Sequence, residues 1–131
     1  MAAGFFLWRG HDSADQSRAA LSFARSHNGP VYWAGTIPAR KLELTTTSAG
    51  TFVRYLPLGG KAGDSARAIT VATYPLRGAY ATAVARAKTA QMTSRIAAGG
   101  AVVVWSVTRP TSVYVAFPGV PQLVEVYAPD A

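Results

Sequence analysis

Hydrophobic and polar positions divide this chain into stretches of different period. From Leu76 the apolar residues recur at helical spacing through Tyr80, Ala83, Val84, Ala87, Ala90, Ala97 and Ala98, which predicts a helix ending at Gly99-Gly100. Met92 and Ile96 fall off that stripe, so this helix either breaks near Thr93-Ser94 or buries two faces. An earlier helix over residues 14–27 is predicted from the Ser13/Gln16 capping box, with Asp12 and Asp15 at its start and Arg25, His27 and Gly29 at its end. Elsewhere β-branched, aromatic or alternating runs predict strands over residues 31–34, 41–44, 51–56, 68–74, 101–107, 112–117 and 122–127. Residues 47–50 and 118–121 have turn chemistry, and residues 58–64 form a Gly-rich loop. The run 101–107 is almost uniformly apolar and is the expected central strand.

Sliding the chain against itself by 72 residues sets Trp33 on Trp105, Pro38 on Pro110, Tyr55 on Tyr127 and Pro57 on Pro129 without a gap. The pattern suggests a duplication with units 13–67 and 76–131, in which the two tryptophans anchor equivalent core sites. The expected fold is α+β: a two-layer sandwich of an antiparallel sheet of six or seven strands, two helices on one face, and a pseudo-two-fold repeat. Residues 1–12 read as an N-terminal tail and 13–131 as one domain.

Composition changes this picture little. With 131 residues, half of them apolar and 15% charged, the chain can bury a core without disulfide or metal staples. The absence of cysteine excludes disulfide scaffolds, thiolate metal sites and a cysteine nucleophile. A net charge of +7 favours anionic partners, but the thirteen basic residues are dispersed with a single adjacent pair, Arg40-Lys41. The dominance of Ala and Arg resembles the bias of a GC-rich bacterial genome.

Signals for chemistry are sparse. Gly63-Asp64-Ser65 resembles the opening of the GDSL hydrolase signature without its N-terminal position or its late Asp-x-x-His, and the two histidines, His11 and His27, lie near the first helix. Gly59-Gly60-Lys61 fails the phosphate-loop spacing, because Tyr55 stands at the first glycine position and Ala62 at the hydroxyl. Asp12 and Asp15 beside His11 are explained by helix capping, so no metal site or cofactor is expected. Glu43 and Glu125 fall in strands whose separation the spacing cannot give. No RNA-recognition signature is present, although Tyr55, Tyr74, Tyr114 and Tyr127 lie on strands among arginines.

The runs at residues 30–35, 51–57, 69–75 and 109–119 resemble a family of uncharacterised actinobacterial proteins that carry this domain after an N-terminal membrane anchor. The resemblance covers about residues 17–129. It implies an extracytoplasmic, membrane-tethered location, with residues 5–8 before Arg9 as the tail of such an anchor; a cytoplasmic location is the alternative. It implies no activity and no catalytic residue.

These readings converge on a non-enzymatic binding or protein-interaction domain of the cell envelope, using the sheet face opposite the helices. Tyr32, Arg54, Tyr114 and Tyr127 are its candidate ligand or partner surface. Lys61, Arg77, Lys88 and Arg95 are candidate anion contacts, the last three expected along one line of the second helix. The partner is a protein, a small ligand or a second copy docked through the sheet face. A basic nucleic-acid-binding module and a small hydrolase are the alternatives.

Overall fold

The computed structural model describes residues 4–7, 18, 22, 30–59 and 68–129. The first half of the chain pairs into antiparallel strands: β1 (Gly4–Leu7), β2 (Arg40–Thr46), β3 (Thr51–Pro57) and β4 (Ile69–Pro75). One helix, α1 (Ala79–Ala87), is followed by β5 (Met92–Ile96), a single 3₁₀ turn (Ala98–Gly100), β6 (Val102–Ser106), β7 (Ser112–Ala116) and β8 (Gln122–Tyr127). Strands β2 to β8 form one antiparallel sheet with the short β1 along its edge, in the order β1-β2-β3-β4-β8-β7-β6-β5. The α+β class and the antiparallel sheet agree with the sequence. The expected helix at 14–27 lies outside the described residues apart from Arg18 and Ser22, which are helical and exposed.

The pairing register separates two faces. One runs through Leu44, Val53, Val71, Val126 and Val113, and the other through Thr45, Phe52, Ala72, Glu125 and Tyr114. On the first face Leu42, Leu44, Val53, Tyr55, Val71 and Val124 form a core, against which Val31, Tyr32, Trp33 and Ile37 pack. On the second face α1 lays Ala79 and Ala83 over Val102, Val104 and Ala116. Small alanines let the helix backbone approach the sheet closely, and burial of both apolar surfaces holds it there.

Three expectations are corrected. Residues 31–34 are not a strand: they pack apolar side chains on the core but make no ladder, because the outer edge of β2 is already taken by β1. The second helix stops at Ala87 instead of running to Gly99. The Thr89 hydroxyl donates to the Arg86 carbonyl at 2.7 Å, Gln91 turns the chain at φ 64°, and Met92–Ile96 pairs along β6 from Met92↔Ser106 to Ile96↔Val102. Gly99 and Gly100, at φ 74° and 81°, therefore close a hairpin and do not stop a helix.

The duplication also fails. Trp33 lies on an irregular segment and Trp105 on β6. An unbroken 72-residue offset of the Leu42↔Tyr55 pair would set Tyr114 opposite Tyr127, yet Ser112 pairs with Tyr127 and Tyr114 with Glu125. The matched tyrosines also stand on opposite faces of the sheet, Tyr55 in the core and Tyr127 on the face of Thr70 and Glu125, so Tyr55 is fully buried and Tyr127 exposed.

Gly50 closes the β2–β3 turn, where Thr47 N–H donates to its carbonyl at 2.9 Å. A Cβ at this position would run into the Thr73 carbonyl oxygen on the neighbouring strand, a backbone group that cannot step aside. Gly50→Ala is expected to cost about 1–3 kcal/mol through forced backbone movement. Urea titration beside the exposed-turn control Ser48→Ala checks it, and equal midpoints would show that the turn has room.

Candidate functional site

The helix covers only part of its face, over β5, β6, β7 and the Leu123 end of β8. Beside it, β3, β4 and β8 leave an open cleft of about 420 Å³ lined by Phe52, Arg54, Thr70, Ala72, Tyr74, Glu125 and Tyr127. The depression follows from strand alternation. Thr70, Ala72 and Tyr74 point to this face, and the methyl of Ala72 stands between its cross-strand neighbours Phe52 and Glu125. Tyr114, opposite Glu125 on β7, separates the cleft from α1 and carries the Arg86 guanidinium 4.3 Å above its ring.

The polar groups are held by one another. Arg54 Nη1 donates to Glu43 Oε1 at 3.2 Å, and its guanidinium lies 5.0 Å over the Phe52 ring. Glu43 is fully buried. Across the cleft the Tyr74 hydroxyl donates to Glu125 Oε1 at 2.9 Å, and the Tyr74 ring meets Phe52 edge to face at 5.9 Å. Burial, the hydrogen bond to Glu125 and its negative charge push the Tyr74 phenol up to about 12.

Because the folded-state value lies above the ordinary value near 10, Tyr74 contributes stability that is complete below pH 10 and is lost as pH rises through about 12. A phenolate absorbance titration is expected to show one tyrosine ionising near 12 that disappears in Tyr74→Phe. Glu125→Gln keeps an oxygen to accept the phenol but removes the charge, so it is expected to bring that ionisation down. An unchanged titration in this variant would remove Glu125 as its cause.

Of the expected contact residues, the cleft gathers Arg54 and Tyr127. Tyr114 shares their face but lies under Arg86, whereas Tyr32 is on the opposite face, stacked on Phe117 at 5.5 Å. Among the expected anion contacts, Arg77 precedes α1, Lys88 caps its C-terminus and Arg95 projects from β5. They form no line on one helix, because the helix that would have aligned them ends at Ala87. Lys61 lies outside the described residues, as do His11, His27, Gly63, Asp64 and Ser65.

Glu43 and Glu125 share a face but stand three strand spacings apart, about 14 Å, beyond the reach of a glycosidase pair. Each has its own partner, Arg54 and Tyr74. Phe52, Thr70, Ala72 and the Tyr74–Glu125 pair were missed as a site, because the β4–β8 pairing that joins them spans more than fifty residues. Among the described residues no group of histidine and acidic side chains could hold a metal ion. No family model, curated protein or solved structure matches this chain.

Proposed function

We propose that this chain is a non-enzymatic binding domain whose contact surface is the open part of the helix-bearing sheet face, centred on the β3–β4–β8 cleft. The observation that carries this reading is the arrangement of the cleft: three aromatic rings around an alanine floor, with each acidic group already engaged by a neighbour. Pairs fixed in this way orient a ligand. They do not activate a nucleophile, and a phenol with a pKa near 12 is a hydrogen-bond donor, not a base, at neutral pH. The resemblance drawn from the sequence runs supports an extracytoplasmic, membrane-tethered setting. The separation of Arg77, Lys88 and Arg95 leaves the nucleic-acid reading without a continuous basic stripe.

The test is an amide-shift titration of the labelled chain with small cationic, neutral and anionic organic probes. Shifts are expected to cluster at Thr70, Ala72, Tyr74, Glu125 and Tyr127, and to vanish in Ala72→Leu, which fills the floor. Hits that map to the opposite face around Tyr32 and Trp105, or hydrolysis of an ester probe abolished by Ala72→Leu, would overturn the reading.

A further inference from the structure

The charge balance of the cleft narrows what it binds. Arg54 is held in an ion pair with Glu43 at 3.2 Å. Glu125 differs. Its hydrogen bond comes from a neutral phenol, and among the described residues it makes no ion pair. One carboxylate is therefore left without a counter-charge, half-buried at the side of a cleft walled by the Phe52, Tyr74 and Tyr127 rings.

We infer that the cleft binds a single cationic group, an alkylammonium or alkylguanidinium, with its charge against Glu125 and its stem over the aromatic rings. This rests on the reading of the cleft as the contact surface. Aromatic faces carry negative potential that attracts cations, and the guanidinium of Arg54 over Phe52 shows this wall accepting one. An anionic group would meet Glu125 with like charge, and a neutral one would cover the carboxylate without compensating it. A volume of about 420 Å³ has room for such a group and its stem. The Tyr74 phenol fixes Glu125 through Oε1, which leaves Oε2 for the incoming N–H donors.

The same chemistry is presented by a free amine or guanidine and by a lysine or arginine side chain of a polypeptide. Four probes test it by amide-shift titration: n-butylammonium, n-butylguanidinium, neutral 1-pentanol and valerate. The capped tripeptide acetyl-Gly-Arg-Gly-amide forms a further arm. The cations are expected to bind in the millimolar range, at least tenfold tighter than 1-pentanol, with valerate giving no shifts at the cleft. Glu125→Gln, which keeps its shape and an acceptor for Tyr74, is expected to weaken the cations about tenfold and leave 1-pentanol unchanged. Its far-UV dichroism and urea midpoint report whether it is folded, and Tyr127→Leu gives an independent variant that removes one aromatic wall.

A tripeptide that binds tighter than n-butylguanidinium supports the inference and assigns the source to a polypeptide. Equal or weaker binding supports it with a free small molecule as the source. Cations bound equally by the parent chain and Glu125→Gln overturn it, as does valerate or 1-pentanol shifting the cleft amides as strongly, although the cleft itself then stands as a contact surface. Shifts confined to other surfaces, or no shifts with any probe, overturn both readings.

Discussion

Tyr55→Phe is expected to lower stability by about 1–3 kcal/mol, although it removes a single oxygen atom. That hydroxyl donates to the Gly35 carbonyl at 2.8 Å and accepts the Ala34 N–H at 2.9 Å. Both partners belong to an irregular segment with no strand to hold it, and the same segment brings Val31, Tyr32, Trp33 and Ile37 onto the core. Losing the hydroxyl strands a backbone donor and acceptor in a half-buried place, and phenylalanine offers nothing in exchange.

The phenol is suited to this clamp, since burial pushes its pKa up and keeps it protonated. Tyr55→Ala adds a cavity beneath the clamp and is expected to cost about 3–5 kcal/mol. Urea unfolding gives the magnitudes, and tryptophan emission in the folded state reports whether Trp33 loosens. A Tyr55→Phe midpoint within about 0.5 kcal/mol of the parent chain, the ordinary scale of a neutral substitution, would show that packing alone retains the segment.

The same clamp explains why residues 31–34 mislead a sequence reader. A run such as Val-Tyr-Trp-Ala is apolar because it is buried, and burial against a sheet face leaves the same signature as pairing within the sheet. Strands β3, β7 and β8 were legible because alternation and turn chemistry are local. The end of the helix was not. Lys88-Thr89-Ala90 leaves the helical stripe unbroken in the sequence, whereas the hairpin that pairs Met92–Ile96 with β6 decides in favour of strand.

The Trp33 and Trp105 coincidence was real in spacing and empty in structure, since Trp33 lies on an irregular segment, Trp105 on β6, and the matched tyrosines on opposite faces of the sheet. The cleft was half legible. Arg54 and Tyr127 were placed on a surface from type and position, but Ala72 was not, because the value of a small residue depends on Phe52 and Glu125 standing beside it in other strands.

Arg54→Met is the second substitution with a large expected effect, about 3 kcal/mol of lost stability, because it withdraws an ion-pair partner from a carboxylate buried without exposure to solvent. The figure belongs at the lower end for a broken buried pair, since the Arg54 side chain keeps 24% of its surface in water. The burden falls on Glu43, not on the arginine, and this makes a sharp comparison. Glu43→Gln removes the charge that requires compensation, so it is expected to cost less than Arg54→Met. Combining the two is expected to recover most of the loss, because an amide opposite a thioether carries no buried charge.

Arg54 also lies over Phe52, and Phe52→Leu controls for that stacking, worth about 0.5–1 kcal/mol at a partly exposed site. A double-mutant cycle in urea separates the terms. A coupling free energy near zero would mean that Arg54 stabilises the sheet through its stem alone and that another neighbour compensates Glu43. A large coupling makes Glu43 the fixed anchor that draws the guanidinium down onto the sheet and so keeps the Glu125 side of the cleft open to a second cation.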